Sequence, residues 1–307
     1  MRKDDPFYIL CAAQAVPVFI MLSGYNYAGG VKDPSFKSLY APRKLLKRFL
    51  RYTIPIIITY LVILAGLTAI GNDYSGGGWL RLFIWGDYGP GGYYYGIMLQ
   101  FLLVFPMIYR VVCSYDFEGV LVIGVCNLFF ELFFQSHAID VAIYRVLIFK
   151  YILFIACGVY LYIHKAEKIK GIYLLIMLLT GAGYLLMPGY WNYEYRVFKY
   201  WSPTSMVVIA WIFPILYFLI TNYHSKAVCN LAGRLIGKIG KASYHIMCTQ
   251  MLWFNFRGVL IYRHYDLSKL GAIIETGCGI LFSVLSGFFF YKMQYILQHM
   301  KQRHPDS

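Results

Sequence analysis

The run FYILCAAQAVPVFIMLSGYNYA at residues 7–28, the basic segment RKLLKRFLR at 43–51 and the second apolar run at 52–70 decide the fold. Runs of about twenty apolar residues span the hydrocarbon of a bilayer, and Lys and Arg are retained on its cytoplasmic side. The order apolar, basic, apolar is therefore that of a membrane hairpin whose turn faces the cytosol. With that turn inside, every later loop has an assigned side.

The rest of the composition agrees. Hydrophobic residues make up 60% of the 307 and charged residues 14%, with a mean hydropathy of +0.57. A soluble domain would carry this only by exposing large apolar patches. The net charge is +14, from 28 basic and 14 acidic residues. In a soluble chain that would suggest nucleic acid. Here the charge lies in short loops and reads as topology and contact with anionic lipid, with no nucleic-acid partner. The seven cysteines (Cys11, Cys113, Cys126, Cys157, Cys229, Cys248, Cys278) contain no C-x-x-C pair and mostly lie in apolar runs. They read as small core residues, with no disulfide framework and no metal site.

The first run reads as a span and not as a cleaved signal. Asp4 and Asp5 spoil the basic leader, and cleavage after Ala13-Gln14-Ala15 would leave a hydrophobic new terminus. About nine spans follow from the apolar runs: 7–28, 52–71, 93–112, 118–135, 142–163, 171–188, 203–222, 243–262 and 271–296. The expected fold is all-α, a polytopic integral membrane helical bundle forming one membrane-embedded domain over residues 1–307, because these runs lack the alternation of barrel strands. Of the 28 Lys and Arg, 18 are assigned to the cytosolic side, Arg110 and Lys292 toward the ends of their spans among them, and 7 to the outer side, with Arg145, Lys150 and Arg257 left uncounted within spans. That bias puts the C-terminus in the cytosol. Nine spans then put the N-terminus outside.

The outer segment GNDYSGGGWLRLFIWGDYGPGG at 71–92 is rich in glycine and aromatics and leads into Tyr93, Tyr94 and Tyr95. Aromatic faces stack on sugar rings, and glycine allows close backbone approach. An interfacial aromatic belt accounts for the same residues. GYWNYEYRVFKY at 189–200 has the same character. Polar groups inside spans are costly and so are functional candidates: Gln100, Glu131, Arg145 with Lys150, Gln250, Asn255, Arg257 and Glu275. Glu131 and Arg145, in adjacent spans, also suit a structural pair. His245 stands at the cytosolic start of its span, where it is either a base or a hydrogen-bonded helix-end residue. His137, His164, His224, His264, His299 and His304 fall in loops, span ends or the tail. No metal spacing or nucleophile motif is present, and GRLIGKIGKAS at 233–243 has the wrong spacing for a phosphate loop.

Four stretches carry a family resemblance. Val16-Pro17-Val18-Phe19 with Ser23-Gly24-Tyr25 resembles the "VPxFxxxSGY" second helix of the membrane-bound acyltransferase 3 family. The basic segment, with Arg48 and Arg51 in R-x-x-R spacing before Pro55, is similar to that family's cytosolic loop. Gly89-Pro90-Gly91-Gly92-Tyr93-Tyr94-Tyr95, with Gln100 and Pro106, resembles its "GxxWYxxxLxxxxxxxP" span. Ile239-Gly240-Lys241-Ala242-Ser243-Tyr244 resembles its "iGkxSYxIyLxH" helix, with Gln250 where many members have His. The matches run from residue 16 to 250 in the family's order.

The resemblance implies O-acylation of sugars or polysaccharides of the cell envelope, with acetyl-CoA as a transient acyl donor and no permanently bound cofactor. It implies a multi-pass protein of a bacterial-type plasma membrane. Lys44, Lys47, Arg48 and Arg51 would meet the CoA phosphates, although a topology-setting, lipid-binding stretch explains them equally. Ser23, Tyr94, Tyr95, Gln100 and Gln250 would contact acyl group or acceptor. The family's first helix carries an Arg and a catalytic His, and this chain resembles the family from its second helix onward. The chain is therefore expected to be N-terminally shortened, or to begin upstream, and the base is left unassigned with His245 the one substitute. A non-catalytic transporter or partner subunit for polysaccharide export, or a degenerate relative, is the alternative from another class.

Overall fold

A backbone in hydrocarbon must satisfy its own polar groups, and the apolar runs do so as helices. The structure, a computed structural model, describes residues 9–69, 71, 92–165, 167–191, 205–223, 231–260 and 269–303. Helices α1 (Ala15–Gly29), α2 (Phe36–Leu39), α3 (Pro42–Ala69), α4 (Tyr93–Ser136), α5 (Val141–Val146) and α6 (Ile152–Ile163) come first. Helices α7 (Gly171–Trp191), α8 (Ile209–Tyr223), α9 (Leu231–Leu260) and α10 (Lys269–Arg303) complete the series. No strand occurs among the described residues.

Three stretches, 36–69, 93–136 and 274–296, are long and apolar enough to cross a membrane, and 148–163, 171–187 and 206–222 are shorter apolar helices. Helix α4 is two helices. Asp116 breaks it with φ 50° and ψ −127°, and a Cβ on Gly119 would lie 2.6 Å from the carbonyl oxygen of Val111. Eight residues along a straight helix are about 12 Å apart, so the chain turns back on itself there, as the separate runs 93–112 and 118–135 require. Leu103, Met107, Leu121, Val125 and Phe129 of α4 are each more than half exposed. An outward apolar face of this kind suits lipid and not water.

The helices depart from the expected spans in three places. The expected span 7–28, whose first two residues lie outside the described ones, is interrupted: Ile9 and Leu10 are helical, Ala12–Gln14 is a 3-10 turn, and α1 follows from Ala15 with Pro17 in its first turn, where its missing N–H costs nothing. The expected span 142–163 is interrupted, with α5 ending at Val146, Leu147 extended (φ −84°, ψ 135°) and a 3-10 turn at Ile148–Tyr151 before α6. The expected span 243–262 belongs to a helix that begins at Leu231, so GRLIGKIGKAS is helical. The cysteines also differ from the expectation. Cys157 and Cys248 are buried, but Cys11, Cys113, Cys126 and Cys278 are exposed; an outward apolar face accepts a small thiol as readily as a core does.

Two compact units divide the chain, one of Met1–Arg48 with Ile97–Ser225 and one of Phe49–Gly96 with Lys226–Ser307. In the first, α1 packs on α6 with backbones nearly touching. A Cβ on Gly24 would lie 2.6 Å from the Ile155 carbonyl oxygen, and one on Gly158 would collide with that of Met21. Small residues at such a crossing let dispersion act between helices where no hydrophobic drive exists in lipid. Tyr27 of α1 meets Phe101 and Phe105 edge-on at 4.9 and 5.5 Å. In the second unit, α9 packs on α10 in the same manner, and a Cβ on Gly287 would lie 2.6 Å from Cα of Ile246.

Candidate functional site

In the first unit the basic segment is anchored from both sides. Ser35 caps α2 by accepting from the Ser38 N–H at 3.3 Å. Asp33 in turn accepts from the Ser35 N–H at 2.9 Å and from its hydroxyl at 2.8 Å. These bonds, the backbone one foremost, hold the Asp33 carboxyl below its ordinary pKa. Lys44 donates to the Ser38 hydroxyl at 2.7 Å, and Lys47 is exposed. Arg48 lies over the Tyr27 ring, 4.6 Å from its centre. Arg110 lies over Phe36 at 5.8 Å. A guanidinium held by its face keeps its N–H edge free for a phosphate oxygen. Sequence reasoning counts Arg110 only toward topology, and nothing in its local pattern marks it as a partner of an aromatic.

Helix α4 carries three in-span polar groups, Gln100, Asn127 and Glu131, and each serves broken backbone. The Gln100 amide donates to the Val146 carbonyl at 2.8 Å and accepts from the Ile148 N–H at 3.1 Å, closing the gap between α5 and the 3-10 turn. Asn127 Oδ1 accepts from the Leu153 N–H at 3.2 Å. Glu131 Oε1 accepts from the Met206 N–H at 2.7 Å, at the start of the 3-10 turn Met206–Val208 that leads into α8. Each thus supplies an acceptor to a helix start whose own chain offers none. Asn127 is absent from the polar residues singled out above, although the rule that selects Gln100 selects it too. Lys150 is buried, with its ammonium 5.5 Å from the Tyr144 ring centre and 5.9 Å from that of Tyr151.

The second unit holds a different cluster. His245 is not at a helix end, because α9 begins at Leu231; it lies midway along that helix and is about 5% exposed. Its Nε2 contacts Gln294 Oε1 of α10, while its Nδ1 and the Gln294 Nε2 are buried without a partner among the described residues. Phe290 and Tyr291 meet the ring edge-on at 5.2 and 5.4 Å. Tyr244 donates to the Tyr52 carbonyl at 2.7 Å, and Arg51, beside Tyr52 on α3, acts on His245 electrostatically. Gln294 falls in an apolar run and is missed by the sequence reading. Farther along α9, Trp253 and Arg257 both donate to Glu275 Oε1, at 3.0 and 3.3 Å.

The five residues assigned to acyl group or acceptor are divided between the units. Ser23 donates within its own helix to Phe19 at 2.8 Å, and Gln100 has both ends of its amide engaged as above. Tyr94 and Tyr95 are buried, the hydroxyl of Tyr95 3.0 Å from that of Thr53. Gln250 is on the exposed face of α9. The aromatic segments lie largely outside the described residues, as do residues 72–91 and 192–200. His224, His264, His304 and Cys229 also lie outside them. Among the described residues no group of three or more His, Cys, Asp and Glu is placed to hold a metal.

Compared with known proteins, residues 3–292 match a family model described as an acyltransferase domain. No curated protein and no solved structure matches the chain.

Proposed function

Because the chain belongs to the acyltransferase 3 family, matched over nearly its whole length, we propose that it moves an acyl group, acetyl by preference, from acyl-CoA to a hydroxyl of a cell-envelope sugar, polysaccharide or exopolysaccharide. The family match carries this reading. The protein sits in a bacterial-type plasma membrane with the basic segment and the C-terminus in the cytosol, where acyl-CoA is made. Lys44, Lys47, Arg48 and Arg51 take the phosphates of the donor, with Arg110 as a further cation. Arginine suits this role because its N–H pairs match phosphate oxygens two at a time. The acceptor contacts fall to Tyr94 and Gln250 and to the aromatic outer segments, while Gln100 and Ser23 serve the scaffold of the first unit.

The test is transfer by the purified chain in lipid nanodiscs, using radiolabelled acetyl-CoA and envelope polysaccharide from cells lacking the gene. The expected outcome is labelled polysaccharide and stoichiometric free CoA. Arg48→Ala should raise the KM for the donor roughly tenfold, as loss of one charge-assisted contact does. Unchanged O-acetylation of the envelope after gene deletion, together with loss of polysaccharide export, would instead favour the transporter reading.

A further inference from the structure

We propose that the basic end of the second unit, formed by Arg234, Lys238 and Lys241 of α9 with Lys292 of α10, holds anionic phospholipid of the cytosolic leaflet. This goes beyond the acyl-transfer reading and does not depend on it. Helix α9 runs unbroken from Leu231 to Leu260. Ala242 is fully buried, whereas residues 234, 235 and 237–241 ahead of it are all exposed. At about 100° per residue, positions 234, 238 and 241 fall within roughly 60° of arc, so the three cations share one edge about 10 Å long. Leu235 and Ile239, both exposed, form an apolar edge about a quarter turn round the helix. On the other side of the cations, a Cβ at Gly237 or Gly240 would meet nothing within 4 Å, which leaves the backbone open to close approach.

The neighbouring helix continues this surface. Thr249 meets Ser283 and Trp253 meets Gly279, a register that sets Lys292 about level with Gly240. Lys292 is exposed, as are Met293 and Ile296 beside it. These cations have no counter-charge of their own. Helices α3 and α9 contain no acidic residue and α10 only Glu275, near its opposite end. None of the four cations enters an ion pair among the described residues. A signal that only sets topology needs the charge alone. Cations beside exposed aliphatic side chains suit a ligand that carries an anionic headgroup on hydrocarbon, and the cytosolic leaflet supplies one. The phosphates of acetyl-CoA match the cations but bring no hydrocarbon to Leu235 and Ile239.

The test uses the full chain in phosphatidylcholine nanodiscs that contain a photoactivatable phosphatidylglycerol or phosphatidylcholine, each with its diazirine near the top of the acyl chain, and maps the adducts by peptide mass spectrometry. The phosphatidylglycerol probe should label residues 234–241 at least about tenfold more than the phosphatidylcholine probe, since each cation near an anionic headgroup is worth roughly fivefold. The combined Arg234→Gln, Lys238→Gln and Lys241→Gln variant should lose that preference, while labelling of the basic segment at 43–51 stays unchanged. Lys238→Arg with Lys241→Arg should keep it, and excess acetyl-CoA should leave the adducts in place. Equal labelling by the two probes on the wild type overturns the proposal with no variant needed. A preference that survives the loss of all three α9 cations overturns it too. Removal of the phosphatidylglycerol adducts by acetyl-CoA reassigns the cations to the donor's phosphates and overturns the lipid as their occupant.

Discussion

Gln100 uses both ends of its amide on one break in the chain, and its substitution should therefore disturb two buried backbone groups at once. Gln100→Leu is expected to destabilise the protein on the order of 2–4 kcal/mol, the cost of leaving two such groups unpaired. Thermal unfolding in detergent measures it. Glu131 separates charge from acceptor: Glu131→Gln keeps an oxygen for the Met206 N–H and should unfold near the wild type, whereas Glu131→Leu should unfold well below it. His164, just past the end of α6, has Nε2 2.6 Å from Asp116 and Nδ1 2.7 Å from Glu167. Partial burial opposes its charge, but the bonds to Glu167 and Asp116 outweigh that and raise its pKa. A raised folded pKa stabilises fully below the unfolded value near 6.5 and loses that stabilisation as pH rises through the folded value. The gap in unfolding midpoint between wild type and His164→Gln should thus be wider at pH 6 than at pH 9. It should correspond to less than about 1 kcal/mol, because both carboxylates are well exposed and screened.

At the scale of elements, the α1–α6 crossing depends on two glycines meeting opposite backbone. Gly24→Leu or Gly158→Leu has no flexible neighbour to displace and should cost at least about 1–3 kcal/mol, read as a lowered unfolding midpoint with the expression level falling alongside it. Where helices lie is legible in the sequence because hydropathy is a local property, and each expected span from 52 onward overlaps a helix. Where they break is not. Residues 141–151, VAIYRVLIFKY, contain no Gly or Pro to announce a stop, and what holds the chain open at Leu147 is Gln100, more than forty positions away. The His245–Gln294 contact joins residues 49 apart and is hidden for the same reason. The basic segment and the glycines, by contrast, are visible as residue types. The aromatic stacking that fixes Arg48 and Arg110 comes only from the packing of α1, α2 and α4.

For the whole molecule, the charge bias of 18 to 7 makes a statement that chemistry can check. Single cysteines at Lys47 and Lys168, both exposed, in a background with the native exposed cysteines replaced by Ala, should escape a membrane-impermeant maleimide in intact cells. Both should react in inside-out vesicles. Labelling of either in intact cells would reverse every loop assignment and remove acyl-CoA from the reach of Arg48.

Gln100, Asn127 and Glu131 also bear on how the protein is made. The segment from Val141 to Ile163 cannot enter hydrocarbon as a finished object, since its interruption exposes N–H and C=O groups that only α4 covers. Synthesis from the N-terminus delivers α4 first, so each later helix start leaves the ribosome with its acceptor already waiting. A circularly permuted gene that encodes α5–α8 ahead of α4 should yield the same finished contacts on paper and far less protein in the membrane.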